Sequence, residues 1–334
     1  ESIRLRSTDD PDDREIDLLS GSSVRTERSS HQERVERIGR PFGTRIYPFG
    51  REPMSHWGLG EHVQAIAPSP DGRMALVSDF LHLGLWDLIE GSEVWVGSGW
   101  GPHALLPLDD RTWFVAGFDG QRVIRCLEDE VVVESIDLGL AGAGWRACRS
   151  PSGRCAALHD ERIWIVEGSP LAARRLGPAF RKWPEQIAWD PVGEWLLIAH
   201  QQGVIARVDP LTGSVLQWFE SAATYPKDLV VGRGGRGAIA TGESIFVHGP
   251  DGEALAALPD DAEVLAVTPD GRWLLSVAEF DLEIRVLDLM TLDPEPVARI
   301  ACDGGPRVVE FAGPRMLVGC ADGTVRIYDI PSPR

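Results

Sequence analysis

A turn of the type Pro-Asp-Gly-Arg recurs seven times, each time between two apolar runs. Clear copies occupy residues 70–73, 151–154, 191–194 and 269–272, and degenerate copies occupy 108–111, 233–236 and 312–315. The first residues of successive turns lie 36 to 43 residues apart. A repeat of about 40–45 residues is typical of a four-stranded propeller blade. The spacing therefore predicts seven blades.

Each repeat also contains the strands that a blade needs. In the first repeat an apolar run at 63–67 precedes the turn, and a continuous apolar run at 74–77 follows it, as in a strand buried on both faces. We predict the third strand at residues 84–88 and the fourth at 93–96. The Asp-Gly pair supplies the positive φ of a tight hairpin. We therefore predict an all-β chain, a single seven-bladed β-propeller of four-stranded antiparallel blades over residues 43–334.

Dipeptides at the ends of the third strands suggest a family. Trp86-Asp87 ends this strand in the first repeat, and its degenerate equivalents are Val208-Asp209, Leu287-Asp288 and Tyr328-Asp329. Over residues 61–330 the chain resembles the WD40-type seven-bladed propellers. It departs from them in having no Gly-His dipeptide, with Gly60-Glu61-His62 nearest, so the His–Asp hydrogen-bond network of the family should be incomplete in most blades. The stretch 191–213 also resembles the YVTN/lactonase branch of propellers.

The last repeat is one strand short. It provides strands near 307–311, 316–320 and 324–329, and Pro331 and Pro333 then end any ladder. A three-stranded blade would leave an open edge in the ring. We predict that residues 44–47 supply the missing strand, because Pro48 suits an outer edge strand. The last blade would then be closed by an N-terminal strand.

Residues 1–42 differ from the rest of the chain. They are rich in charge and turn residues and poor in large apolar residues, which predicts a flexible N-terminal tail or linker, with a short helix at 31–40. We expect the chain to be the C-terminal part of a larger polypeptide. The five cysteines show no Cys-x-x-Cys spacing, so we expect buried free thiols and a cytoplasmic location. No signal peptide and no apolar run of about 20 residues is present, which predicts no membrane partner.

The net charge restricts the partners. The chain carries a formal charge of −18, and residues 61–334 contain 23 Lys and Arg against 40 Asp and Glu. An acidic propeller repels phosphate backbones, so we expect no nucleic-acid partner and favour a basic protein segment. The alternative is that the charge only provides solubility.

A search for catalytic chemistry gives little. The eight histidines are scattered without metal-ligand spacing, no Gly-x-Ser-x-Gly motif is present, and the glycine-rich residues 232–237 lack the Lys-Ser/Thr of a phosphate-binding loop. We therefore expect no enzyme activity, no metal and no cofactor. A lactonase-like hydrolase, the alternative, would need carboxylates and a basic group that converge on the central channel.

Aromatic residues recur at loop positions. We predict that they form a rim on one face, because they lie at similar distances from the turns: Trp100, Trp183 and Tyr225 eight residues before a turn, Trp145 six before, and Phe80, Phe118 and Phe280 ten or eleven after its first residue. Arg181 and Lys182 add cations beside Trp183. Such a rim is typical of a binding hot spot, although these aromatics could instead pack between blades. By contrast, we assign Trp86, Trp164, Leu287 and Tyr328, on the third strands, to the core between blades.

These features favour a non-catalytic protein–protein interaction module, a scaffold or docking subunit that binds a protein segment on the aromatic rim. Two alternatives stay open. One is the lactonase-like hydrolase that uses the central channel. The other is a structural role in which the propeller supports an oligomer.

Overall fold

A computed structural model gives the fold. The structure describes residues 4–6, 15–17, 44–48, 62–79, 81–98, 102–117, 120–128, 130–136, 146–150, 153–159, 162–167, 172–176, 183–232, 234–278, 281–302 and 304–329. All regular elements in these ranges are β-strands, as the sequence predicts. No helix of the described part is long and apolar enough to cross a membrane.

The described strands form seven four-stranded antiparallel sheets and one two-stranded ladder near the N-terminus. One N-terminal strand is the fourth strand of the last sheet and closes the ring. Before the blades come β1 (Arg4–Arg6), β2 (Glu15–Asp17) and β3 (Thr44–Pro48). Blades 1 to 3 consist of β4 (Ala65–Pro68), β5 (Met74–Ser78), β6 (His82–Asp87), β7 (Ser92–Ser98); β8 (Pro102–Asp109), β9 (Thr112–Gly117), β10 (Gly120–Cys126), β11 (Val131–Ile136); and β12 (Arg146–Arg149), β13 (Cys155–His159), β14 (Arg162–Glu167), β15 (Ala172–Leu176).

Blades 4 to 7 repeat the same order from the innermost strand outwards. They consist of β16 (Pro184–Trp189), β17 (Leu196–His200), β18 (Gln202–Val208), β19 (Val215–Thr224); β20 (Asp228–Val231), β21 (Gly237–Ala240), β22 (Ser244–His248), β23 (Ala254–Pro259); β24 (Ala262–Val267), β25 (Trp273–Ala278), β26 (Glu283–Asp288), β27 (Ala298–Ala301); and β28 (Pro306–Ala312), β29 (Arg315–Cys320), β30 (Thr324–Asp329) with β3. The seven-bladed propeller is confirmed.

The N-terminal strand closes the last blade. β3 pairs antiparallel with β30, and Thr44 lies opposite Tyr328 while Pro48 lies opposite Thr324. Each innermost strand contacts that of the next blade, and β28 contacts β4, so the ring is complete. The N–H of Val63 also donates to the carbonyl of Cys320 at 3.0 Å, joining blade 7 to blade 1. The closing strand is therefore the one that the sequence predicts.

The core lies between adjacent blades. Second strands are buried along their whole length, as in β5, β13 and β17, because both faces of the sheet are covered by neighbouring blades. Leu287 and Tyr328 are buried in two such clusters, and Trp86 and Trp164 are partly buried against two others, as predicted for the third strands. The continuous apolar runs of the sequence thus become the inter-blade core.

The strands give the propeller two ends. We call the end with the Pro-Asp-Gly-Arg-type turns, together with the turns between third and fourth strands, the turn end. The opposite end, with the turns between second and third strands and the connections to the next blade, is the loop end. At the turn end Gly72 has φ +68°, and a Cβ there would lie 3.1 Å from the carbonyl oxygen of Ala312 in blade 7. Only glycine fits both constraints.

The predicted tail contains one short ladder. Arg4 lies opposite Asp17 and Arg6 lies opposite Glu15 in the antiparallel pair of β1 and β2. The predicted helix at 31–40 lies outside the described residues. The division into a tail at 1–42 and a propeller at 43–334 stays a prediction.

Candidate functional site

Two of the predicted rim residues, Trp183 and Tyr225, are described by the structure. Both side chains are exposed, Trp183 to 60% and Tyr225 to 65%. They are therefore not packed between blades, which was the alternative for each. The other predicted rim residues lie outside the described residues: Trp100, Trp145, Arg181, Lys182, Phe80, Phe118 and Phe280.

A single turn brings Trp183 and Tyr225 to the same place. Gln201 lies between β17 and β18, at the loop end of blade 4. Its N–H donates to the carbonyl of Trp183 at 2.9 Å, and its own carbonyl accepts from the N–H of Tyr225 at 3.0 Å. Trp183 precedes the blade and Tyr225 follows it, so the turn holds the two connections on either side of itself. The structure thus places these two residues at the same end of the propeller, while their role as a binding rim stays a prediction.

The backbone of Tyr225 is strained. It has φ +54°, in the left-handed region that costs a bulky residue about 1–2 kcal/mol. Pro226 follows, and a residue before proline normally prefers an extended conformation. Because the ring is largely exposed, burial of the ring does not offset this cost. Residues with strained backbone conformations cluster at functional sites.

A further exposed aromatic, Trp218, was missed by the sequence analysis. It lies on β19, the outermost strand of blade 4, where exposed and partly buried residues alternate. Its ring lies 5.5 Å from that of the buried His200, centroid to centroid, and Leu216 is exposed two residues earlier. The sequence of 215–220, Val-Leu-Gln-Trp-Phe-Glu, shows no alternation of apolar and polar residues, so no local signal identifies this side chain as exposed. Trp218 is on the circumference and is not part of the rim.

At the turn end, charged side chains stabilise the turns through hydrogen bonds and ion pairs. Asp87, the Asp of Trp86-Asp87, accepts the N–H groups of Ile89 and Glu90 at 2.8 and 3.0 Å through Oδ1. Its Oδ2 pairs with Arg73 Nε at 3.3 Å, the Arg of the preceding Pro-Asp-Gly-Arg turn. Burial alone would raise the pKa of Asp87, but the hydrogen bonds and Arg73 outweigh it and the pKa is lowered. The turn motif and the third-strand Asp thus form one structural unit.

Blade 6 repeats this unit. Asp288 Oδ1 accepts the N–H of Met290 at 2.8 Å, and its Oδ2 pairs with Arg272 at 3.2 Å. In blade 4 Glu194 replaces the Arg, and Asp209 instead accepts from the Thr212 hydroxyl at 2.8 Å. The repeated Asp residues are therefore explained by the fold and need no ligand.

The loop end of blade 6 contains a buried ionic group. Asp260 accepts from the Ser276 hydroxyl at 3.0 Å and pairs with Arg285 at 3.1 Å. Arg285 also contacts Asp261 at 2.8 Å and Asp281 at 2.6 Å. Burial raises the pKa of Asp260, although Arg285 opposes the rise. All of these groups have partners within the blade, which indicates a structural role.

Polar side chains also lie on the innermost strands, which line the central channel of a propeller. Glu310 on β28 is exposed to water in the channel. The surrounding protein nevertheless desolvates its carboxyl group, and this desolvation together with the charge of Asp228 raises its pKa to about 8. Burial also raises the pKa of Asp228, while backbone hydrogen bonds and Arg146 oppose the rise. The channel thus brings together two carboxyl groups and one guanidinium from blades 5, 7 and 3.

Asp228 has a structural task as well. Its Oδ2 accepts the N–H of Leu265 at 2.7 Å, and its Oδ1 accepts the N–H of Leu229 at 2.8 Å. Leu265 lies on β24, so this carboxyl group joins blade 5 to blade 6. Both of its oxygens are engaged, whereas Glu310 is the more exposed of the two residues.

No group of three or more His, Cys, Asp or Glu that could hold a metal ion occurs among the residues that the structure describes. Comparison with protein-family models gives no match, and comparison with curated proteins gives none either. The seven-bladed propeller is thus established by the structure alone.

Proposed function

We propose that this chain is a non-catalytic protein–protein interaction module, a WD40-type propeller that binds a protein segment at its loop end. The observation that carries the proposal is the exposed pair Trp183 and Tyr225 around the Gln201 turn. Aromatic side chains bury a large area with little loss of conformational entropy, and they are enriched at the centres of interfaces. Arg181 and Lys182 directly precede Trp183 in the sequence, and we include both in the proposed site on that ground.

The WD40-type assignment has its own support. Trp86-Asp87 stands at the end of a third strand, and its Asp holds the following turn as a repeated structural residue would. The same arrangement around Asp288 supports this assignment for one degenerate dipeptide, Leu287-Asp288. The family provides docking and scaffold subunits, which agrees with an exposed aromatic pair, and we propose a cytoplasmic location as well.

Charge selects the partner. With 40 acidic against 23 basic residues in 61–334, the propeller attracts a basic segment at long range. Such steering raises the association rate and weakens as salt screens it, over a Debye length of about 8 Å at physiological ionic strength. We therefore propose a basic protein segment with apolar anchors that fit against Trp183 and Tyr225.

The test compares two double variants of the full chain. Trp183→Ala/Tyr225→Ala removes the proposed site, and Val192→Ala/Leu211→Ala removes two exposed apolar side chains at the turn end. Each immobilised protein is incubated with extract of the native cell, and bound proteins are quantified by mass spectrometry. Circular dichroism and thermal unfolding check that both variants fold.

We expect a stoichiometric partner that the wild type and the turn-end variant retain and that the rim variant loses at least about tenfold, as for hot-spot truncation. The partner's binding segment should be basic, and its binding should weaken with salt. Retention by the rim variant would exclude the pair as the site. Unfolding of that variant would mean that the two aromatics serve packing.

The channel supports a second candidate, a lactonase-like hydrolase. The observation in its favour is the group Glu310, Asp228 and Arg146, which includes a carboxyl group protonated near neutral pH and able to act as a general acid. Assays on a panel of lactones with the wild type and Glu310→Gln would decide. Turnover by the wild type that the variant loses would favour this candidate over the interaction module.

A further inference from the structure

Two cysteines that are distant in the sequence lie in contact at the loop end of blade 7. Cys302 lies in the connection between β27 and β28, and Cys320 is the last residue of β29. Both are fully buried free thiols, and their Sγ atoms lie 3.4 Å apart. A disulfide bond is about 2.05 Å long, so the sulfurs need to approach by only about 1.4 Å. No other pair of described cysteines has a sulfur–sulfur contact of this kind.

Backbone hydrogen bonds fix the two segments that carry these cysteines. The N–H of Cys302 donates to the carbonyl of Leu282 at 2.7 Å, and the N–H of Ala321 donates to the carbonyl of Gly305 at 2.7 Å. Gly304 lies against the carboxyl group of Asp322, which a Cβ at 304 would overlap. The connection therefore fits closely against the turn after β29.

The surroundings favour ionisation of one thiol. The hydrogen bond from Cys320 and the positive charge of Arg326 lower the pKa of Cys302, while the same hydrogen bond and burial raise the pKa of Cys320. Arg326 is mostly buried and is only loosely paired, with Asp322 at 3.7 Å. Tyr328 also hydrogen-bonds to Cys302. A thiol whose pKa is lowered, beside a second thiol and a guanidinium, is the arrangement in which disulfides form readily.

We propose that Cys302 and Cys320 are a redox modification site, a thiol pair that a peroxide converts into an intramolecular disulfide. The thiolate of one cysteine attacks a peroxide oxygen and forms a sulfenic acid, and the O–O bond breaks to release water. The thiol of the other cysteine attacks the sulfenic sulfur, forms the S–S bond and releases a second water. With hydrogen peroxide, two thiols and one peroxide give one disulfide and two waters, and the two electrons go to the O–O bond.

Because of the position of the pair, the disulfide would stabilise the closure of the ring. Blade 7 is the blade that β3 closes, and the bond would tie the connection from blade 6 to the second strand of blade 7. The oxidised ring would open less easily there. Because both sulfurs are buried, we expect oxidation to be slower than for an exposed thiol, and to require transient opening of the connection.

The test oxidises the purified full chain with hydrogen peroxide and counts thiols under denaturing conditions. We expect the count to fall from five to three. Trypsin without reduction should then give peptides 300–307 and 316–326 joined by a disulfide, and a dithiol reductant should separate them. The oxidised protein should have a higher Tm than the reduced one. Cys302→Ala and Cys320→Ala should each abolish the joined peptides, while Cys126→Ala, a buried cysteine of blade 2, should leave them unchanged.

The opposite results would overturn the proposal. A thiol count that stays at five, a disulfide that joins other cysteines, or sulfinic acid at Cys302 without any joined peptide would each do so. Should either alanine variant fail to fold, the peptide map of the wild type and of Cys126→Ala still decides.

Discussion

The two ends of the propeller differ in what their recurring charged and aromatic residues contact. At the turn end, charged residues recur in register and satisfy one another, as Asp87 does with Arg73 and Asp288 with Arg272. At the loop end of blade 4, Trp183 and Tyr225 leave large side chains exposed, and Tyr225 carries backbone strain as well. Residues that the fold repeats are thus explained by the fold. Residues that it exposes at a cost are the candidates for function.

The largest expected effect concerns binding at the loop end. Trp183→Ala/Tyr225→Ala should weaken partner binding by about 2–4 kcal/mol, because hot-spot aromatics carry most of the binding free energy. That loss corresponds to a Kd at least about 30-fold higher. Isothermal titration with the partner segment measures it, and stability should barely change. A large loss of stability with unchanged affinity would reverse the comparison of the two ends.

At the turn end the expected effect is on stability. Asp87→Ala should lower the free energy of unfolding by about 1–3 kcal/mol, because it removes the acceptor of two N–H groups and the partner of Arg73. Urea unfolding measures the loss, and partner binding should be unchanged. Asp87→Asn is the matched control, since it keeps an acceptor oxygen and should lose less. Equal losses for both variants would mean that the charge, and not the turn, is what matters.

The sequence predicted the repeated parts of this molecule well, for a physical reason. The turns, the buried second strands and the closing strand at 44–47 depend on local patterns and on the rule that rings have no open edge. The spacing of Trp183 and Tyr225 to the turns predicted a rim but left packing between blades as an alternative, and their exposure decides against that packing. The strain of Tyr225 did not, because a residue before proline is expected to be extended.

Contacts between distant segments were also beyond the sequence. Glu310 and Asp228 come together only because two inner strands face one channel, and nothing in either segment indicates which side chains point there. The sulfur pair of Cys302 and Cys320 depends in the same way on how one connection fits against one turn. Buried free thiols were expected from composition, but not their contact.

The central channel is a third region to compare, because its contribution to stability depends on pH. The raised pKa of Glu310, about 8 against 4.5, means that the folded state binds the proton more tightly, so stability falls as pH rises from about 4.5 to 8. Because water reaches this side chain, we expect a loss of only about 1–2 kcal/mol. Asp87, whose pKa is lowered, acts in the opposite direction, and its contribution is lost at acidic pH.

Urea unfolding of the wild type and Glu310→Gln at pH 5, 7 and 8.5 measures the channel effect. The variant should show a flatter dependence over this range, because it has no proton to lose at position 310. Parallel curves for the two proteins would mean that the channel solvates the carboxyl group as well as bulk water does.

The smallest expected effect tests the strain itself. Tyr225→Gly should raise the free energy of unfolding by about 0.5–1 kcal/mol, because glycine adopts φ +54° without steric cost, although it also gains entropy in the unfolded chain. Tyr225→Ala is the matched control, since it removes the same ring and keeps the Cβ that causes the strain. Both variants should lose partner binding, and only the glycine variant should gain stability. A glycine variant less stable than the alanine variant would show that the left-handed backbone costs nothing here, and the case for a site at Tyr225 would then depend on its exposure alone.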